Sequence, residues 1–364
     1  MQREIKKIGI LTAGGDCPGL NPVIRSVVRT AILKYGLEVV GFNHGYKGLY
    51  HNDVTELTLD SVSGILPIGG TMLYSSNKDN LFDYTVEENG KMVQKDVSDV
   101  GVENMKKNGI DAMVIIGGDG TLTSGRDFAR KGVKVVGVPK TIDNDLSCTD
   151  YTFGFDTAVS VACEAADRLH STALSHSRIM VLEVMGRYAG WIALAAGISG
   201  GADAILIPEI PYDIQKVADS LKERASRGKN FAVVVVAEGA KSVSGELHVS
   251  KVIEGSPDPI RLGGIGNKIA EELESLVGLE ARSTILGHIQ RGGSPTAHDR
   301  ILSTRYGAAA VELLMQGKFG MMVTLKGDDM GYASLEDVIG KNKAVDPSGE
   351  LVSIAKGIGI SFGD

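Results

Sequence analysis

The stretch from Asp111 to Asp145 reads DAMVIIGGDGTLTSGRDFARKGVKVVGVPKTIDND. An apolar run at 112–116 ends on Gly117 and Gly118, and a polar segment of helical character follows from Asp119, Gly120 and Thr121 to near Gly132. A second apolar run, 133–138, opens into Pro139, Lys140, Thr141, Ile142, Asp143, Asn144 and Asp145. Two short apolar runs joined by a helix-length segment predict a βαβ unit with parallel strands. Ligands of such units sit at the carboxyl ends of the strands, where both polar turns would lie. A glycine turn entering a helix offers backbone N–H groups and a positive dipole end to a phosphate.

The same alternation extends outward in both directions. Upstream, KIGILT (7–12) predicts a strand, followed by a Gly14-Gly15 turn and a helix to Tyr35 that opens with Asn21 as N-cap and Pro22 at its first position. A strand at 37–42, a glycine-tyrosine loop at 44–50, a polar loop after Gly69-Gly70-Thr71 and a helix at 102–107 lead into the central stretch. Downstream, helices are expected at 155–172, 191–198, 212–226, 262–276 and 299–316, with strands at 179–184, 204–207, 231–237, 284–289 and 321–325. A polar segment closes the chain. The pattern predicts an α/β fold of two doubly wound, Rossmann-like lobes with the active site in the cleft between them.

Composition narrows the function classes. The 364 residues suffice for two domains, and the 47 glycines suit the many strand-to-helix turns of an α/β protein. A net charge of -7 argues against a nucleic-acid binder, which needs a basic surface. Cys17, Cys148 and Cys163 are odd in number and lack metal-site spacing, so reduced thiols in a cytoplasmic protein are expected. No apolar run approaches a membrane span.

Phosphoryl transfer requires charge neutralisation, in-line positioning and a group that takes the acceptor's proton. Asp119 can hold a Mg2+ ion that bridges phosphates. Asp143 and Asp145, two apart, can face one side of an extended turn, one acting as general base while Lys140 or its neighbour tunes it. Taken alone, the pair also fits a solvated turn or a helix cap, and Gly14-Gly15 fits a plain tight turn. Arg178, Arg187, Arg282, His288 and Arg291 fall at strand ends or turns, where arginine suits a phosphate fork or a surface ion pair. Glu238 ends an apolar run and can accept from sugar hydroxyls or simply terminate a buried strand.

The chain resembles the bacterial-type 6-phosphofructokinases from Lys7 to about Leu314, through ILTAGGDCPGLN, IGGDGT, PKTIDND, VMGRYAGW and LGHIQRGGSP in that family's order. The GGDGT turn alone also resembles NAD kinases and lipid kinases, but the other motifs do not. The resemblance implies transfer of the γ-phosphoryl of ATP to the 1-hydroxyl of fructose 6-phosphate, with Mg2+. Gly15, Gly118, Asp119, Gly120 and Thr121 would bind the donor, with Asp119 on the metal. Asp143 would be the base, with Thr141 and Arg187 also catalytic. Thr141, Ile142, Met185, Gly186, Arg187 and Glu238 would hold the sugar, and Arg178, Arg282, His288, Ile289, Gln290 and Arg291 would surround its phosphates. Arg178 and Arg282 are expected from a neighbouring subunit, in a homotetramer or dimer with shared sites. Both lobes would be discontinuous: residues 1–142 plus about 290–340 for the donor, and 143–289 plus about 341–364 for the sugar phosphate.

Two positions speak to the donor. Gly120 resembles ATP-dependent members, where pyrophosphate-dependent members carry Asp, whereas Lys140 resembles the pyrophosphate type. A carboxylate at 120 would repel the α-phosphate of ATP, so ATP is expected and pyrophosphate is the alternative. Asn77 stands where an arginine is usual, with Lys78 beside it as a substitute charge at the donor. Arg25 and Arg29 match the family's regulatory site, but Ile68 and His170 replace further arginines, so regulation by ADP or phosphoenolpyruvate is not expected. A catalytically silent sugar-phosphate sensor on this fold is the third reading, and the intact pair Asp119 and Asp143 argues against it.

Overall fold

The computed structural model describes residues 5–88, 90–245, 249–252 and 260–364. The chain forms two compact units. The first comprises Met1–Ile142, Leu146–Gly154 and Arg291–Lys341, and the second comprises Asp143–Asp145, Phe155–Gln290 and Asn342–Asp364.

The first unit is built on a seven-stranded sheet. Its order is Asp329–Ser334, Met321–Lys326, Val135–Pro139, Ala112–Gly117, Lys7–Thr12, Glu38–Phe42 and Val54–Glu56. The five inner strands are parallel, and the two edge strands join antiparallel. All six residues of AMVIIG are buried, as a parallel strand covered on both faces requires. Burying each such Val or Ile contributes about 1.5–3 kcal/mol, so a charge at Val114 would break the strand's seat in the core. Leu122 and Phe128 of the helix Asp119–Arg130 pack with Leu11, Met113, Ile115 and Val135.

The helix Leu20–Tyr35 begins one residue before the expected N-cap. Gly19 takes the cap position at φ 113, a left-handed backbone that glycine adopts without steric penalty. Asn21 therefore lies inside the helix, and its side chain serves elsewhere. Its amide donates to Ile68 O and Gly69 O at 3.1 and 3.2 Å, and its carbonyl accepts from Met72 N at 2.7 Å. The residue read as a cap is the anchor of the loop that carries Asn77 and Lys78.

The second unit has a four-stranded parallel sheet in the order Ala281–Ile285, Ile179–Val184, Ala232–Ala237 and Ala204–Leu206. A bridge from Ala204 to Ser361 continues it in parallel. Val181, Val234, Val236, Val217, Leu221, Ile269 and Leu273 form its core. Glu183 is buried within that sheet, and its carboxylate accepts from Gly264 N and Gly266 N at the start of the helix Ile265–Val277. Negative charge at a helix N-terminus is favoured by the dipole.

Several expected elements are displaced. The strand expected at 284–289 is Ala281–Ile285, after which Gly287–Arg291 tightens into a 3-10 turn. The loop at 44–50 contains the short helix Tyr46–His51, and the polar C-terminal segment contains the strand Asp329–Ser334 and the helix Glu350–Gly357. The helix expected at 262–276 starts at Ile265, because Gly263 and Gly264 both carry positive φ. No helix among the described residues is long and apolar enough to cross a membrane.

Candidate active site

In the first unit, the carboxyl ends of three adjacent strands converge. Ala13 N donates to Ile116 O at 3.1 Å, and Lys140 N donates to Gly117 O at 3.0 Å. The turns holding Gly14-Gly15, Gly118–Thr121 and Lys140 are thereby held side by side. Gly14 N donates to Ser76 O at 2.9 Å, and Ser75 Oγ donates to Gly14 O at 2.6 Å. Thr12 Oγ1 adds a bond to Tyr74 O at 2.8 Å. These bonds lay the 71–78 loop against the first glycine turn, with exposed Asn77 and Lys78 directly after Ser76.

The helix Asp119–Arg130 starts as the sequence suggests. Gly118 caps it in extended backbone, without a side-chain cap. Thr121 is buried, and its carbonyl accepts from Tyr46 Oη at 2.7 Å. A Cβ on Gly117 would lie 2.3 Å from the Thr121 side chain, so glycine is a packing requirement there. Gly120 is different. A Cβ at this position would meet nothing within 4 Å. The fold does not need glycine at 120, and the space above the helix start stays open.

Two cations border the glycine turn. Lys140 is only 4% exposed, and its Nζ lies 3.6 Å from where a Cβ of Gly14 would stand. Arg291 Nη1 donates to Asp16 O at 3.1 Å, and a Cβ on Gly15 would be 2.8 Å from the same nitrogen. Burial pushes the Cys17 thiol well up, opposed by the charges of Lys140 and Arg291. Asp119 is exposed, and its Oδ1 accepts from Gly340 N at 2.8 Å. Thr141 O accepts from Thr152 Oγ1 at 2.7 Å, fixing the last turn of this unit before Ile142.

In the second unit, Asp143 opens a three-residue turn whose middle residue, Asn144, has φ 51. Glu238 N donates to Val184 O at 2.9 Å, and Gly239 N donates to Gly186 O at 3.1 Å. The turn with Met185, Gly186 and Arg187 is thus fastened to the turn with Glu238. Gly186 at φ 136 permits this bend, and a Cβ there would stand 2.8 Å from Ala189 O. The Arg187 guanidinium lies 4.9 Å from the centre of the Tyr188 ring. His288 and Ile289 are exposed on the 3-10 turn, while Gln290 is fully buried.

Arg178 and Arg282 lie at the opposite end of this sheet. Arg178 precedes the strand Ile179–Val184, and Arg282 pairs in register with Met180. At 3.3 Å per residue, Met180, the register partner of Arg282, is roughly 17 Å from Met185 along the strand, and Arg178 is roughly 23 Å away. Arg178 Nε donates to Glu280 Oε2 at 2.5 Å, and Arg282 also pairs with Glu280. The Arg178 guanidinium, with Arg282, holds the Glu280 carboxyl below its usual range. Within one protomer's second unit, the expected phosphate-binding residues therefore form two separate groups, and Arg291 falls in the first unit beside Gly15.

A model of the family described as phosphofructokinase matches residues 7–314. The chain belongs to the phosphofructokinase family. It is 68% identical over 366 residues to ATP-dependent 6-phosphofructokinase 2 of Clostridium perfringens (strain 13 / Type A), covering 100% of both chains. It is 47% identical over 366 residues to the ATP-dependent 6-phosphofructokinase of Chloroflexus aurantiacus (strain ATCC 29366 / DSM 635 / J-10-fl), covering 100% of this chain and 99% of that one. Among solved structures, Pichia pastoris phosphofructokinase is similar at a TM-score of 0.79 and 32% identity, over 93% of this chain. This chain spans 38% of that longer one. For a phosphofructokinase, two features of the site were not read from the sequence. Lys343 binds the Asp143–Asp145 turn, and Asn21, the last residue of ILTAGGDCPGLN, anchors the 71–78 loop; no local pattern reports either contact.

Proposed function

We propose that this phosphofructokinase transfers the γ-phosphoryl of ATP to the 1-hydroxyl of fructose 6-phosphate, giving fructose 1,6-bisphosphate and ADP. The full-length identity of 68% to an ATP-dependent 6-phosphofructokinase carries this reading. The open space at Gly120 agrees with it, because a nucleotide needs room there that pyrophosphate does not.

The first unit is the donor-binding lobe in this reading, and the second binds the sugar phosphate. Backbone N–H groups at Gly15 and Gly118–Thr121, with the start of a twelve-residue helix, receive phosphate oxygens. Lys140, Lys78 and Arg291 supply positive charge around them, and Asn77 adds a neutral donor. Asp119 is exposed at that helix start, which suits an ion that takes one or two carboxylates and otherwise phosphate oxygens and water. Mg2+ held there would neutralise charge on the transferring group.

Asp143 takes the proton of the 1-hydroxyl as that oxygen bonds to the γ-phosphorus and the bond to the bridging oxygen of ADP breaks. Thr141 orients the transferred group beside it. Met185, Gly186, Arg187 and Glu238 hold the sugar, and His288, Ile289 and Gln290 border it. Arg178 and Arg282, at the far end of the same sheet, serve the phosphate of a sugar bound to another copy. The enzyme then works as a dimer or tetramer with shared sites in the cytoplasm.

Aldolase-coupled product formation from fructose 6-phosphate, with ATP or pyrophosphate at equal Mg2+, tests the donor. Turnover with ATP is expected; turnover with pyrophosphate alone would overturn the reading.

A further inference from the structure

Residues 342–345 are fastened to the Asp143–Asp145 turn and to the turn that follows Arg187. Lys343 N donates to Asp145 O at 2.8 Å, and Lys343 Nζ donates to Asn144 Oδ1 at 3.0 Å. Lys343 O accepts from Trp191 Nε1 at 2.7 Å, and the ammonium stands 5.8 Å from the centre of the Trp191 ring system. Asn342 Nδ2 donates to Tyr188 O at 3.0 Å. Val345 N donates to Glu209 Oε1 at 2.8 Å, and that carboxylate also accepts from Gly190 N at 3.0 Å.

We propose that Lys343 is a positioning residue for phosphoryl transfer, fixing the Asp143–Asp145 turn so that the Asp143 carboxylate faces the acceptor hydroxyl. The proposal rests on Asp143 being the base. Asn144 is only 4% exposed and sits at φ 51, a backbone that persists when its surroundings hold it. Its carboxamide oxygen, removed from water, takes a charge-assisted hydrogen bond from the ammonium. The backbone bond to Asp145 O holds the next residue of the turn. With the Asn144 side chain and the Asp145 carbonyl both tied to Lys343, the turn that carries Asp143 is held at two points. General-base transfer depends on heavy-atom distances of about 2.6–3.2 Å, so loss of this restraint falls on the chemical step. Lys343 lies outside the residues 7–314 that the family model matches.

The tests are Lys343→Met, which keeps the aliphatic stem and removes the donor, and Lys343→Arg, which restores a cation. Lys343→Met should lower kcat about 10- to 100-fold with KM for ATP within about twofold of wild type. Lys343→Arg should recover most of kcat. Asn144→Gly, which tolerates the backbone and removes the acceptor, should reproduce the Lys343→Met loss and carries the test if that variant does not fold. Unchanged kcat in Lys343→Met, or equal losses in the Met and Arg variants, would overturn the proposal. Asp143→Asn in the same assay separates the two ideas. Retained turnover there removes Asp143 as base, whereas its loss beside an unaffected Lys343→Met removes only the role of Lys343.

Discussion

Arg291 lies against Gly15, so closely that a methyl group on the glycine would stand 2.8 Å from the guanidinium Nη1. The same nitrogen donates to Asp16 O, so the side chain is held where the clash would occur. Gly15→Ala should displace the guanidinium and lower kcat/KM for ATP about 10-fold or more, since sub-ångström errors in placing a reacting phosphate are costly. The melting temperature should change little, because the side chain that must give is a flexible end and not backbone. Steady-state kinetics beside a thermal melt check both parts.

Gly120→Asp should fold normally. A Cβ at 120 meets nothing within 4 Å, and an acidic residue in the first turn of a helix favours the dipole. The second carboxylate beside Asp119 should instead raise KM for ATP by about 10-fold or more through crowding and repulsion. Unaltered ATP kinetics in a folded variant would remove Gly120 from donor selection.

Cys17 should make stability depend on pH at the alkaline end. Burial raises its thiol above the ordinary 9.0, so the unfolded chain ionises first and draws the equilibrium away from the fold. Its contribution is intact below pH 9.0 and falls as pH rises, by about 1.4 kcal/mol per unit while only the unfolded thiol titrates. Urea unfolding between pH 8.5 and about 10.5 should show this slope, reduced in Cys17→Ala. Tyr46 and Tyr306, also raised by burial, add to the loss only at higher pH.

Arg178 and Arg282 should complement a missing base in trans. Arg282→Ala should raise KM for fructose 6-phosphate about 10-fold or more, leaving that for ATP nearly unchanged. Asp143→Asn should lower kcat by about 10²–10⁴. Mixed after reversible dissociation, the two variants should recover up to about a quarter of wild-type activity, because each mixed pair of copies contains one intact site. No recovery in demonstrably mixed oligomers would show that these arginines do not serve a neighbour's site.

The buried strands were legible because both faces of a parallel sheet demand unbroken apolar runs: AMVIIG and AVVVVA announce themselves. The glycine turns were legible because strand-to-helix bends need them. Asn21 was misread for a physical reason. Its preference for a cap is local, whereas its carboxamide satisfies loop carbonyls nearly 50 residues along the chain, a long-range demand no local pattern reports. The short edge strand Asp329–Ser334 was missed because its half-exposed GYAS has little apolar content. Lys343 was invisible for the same reason as Asn21: its partners are side chains and carbonyls distant in sequence.

The interleaving of the two units constrains how this protein can be made. The first unit's sheet lacks Met321–Lys326 and Asp329–Ser334 until the ribosome has passed nearly the whole of the second unit. The second unit in turn awaits 342–364, which supply Lys343 and the bridge at Ser361. Neither unit can finish during synthesis of its own N-terminal part, so a nascent chain carries an open parallel-sheet edge until late in translation. Neither unit can therefore be cut out as a single continuous segment of the chain.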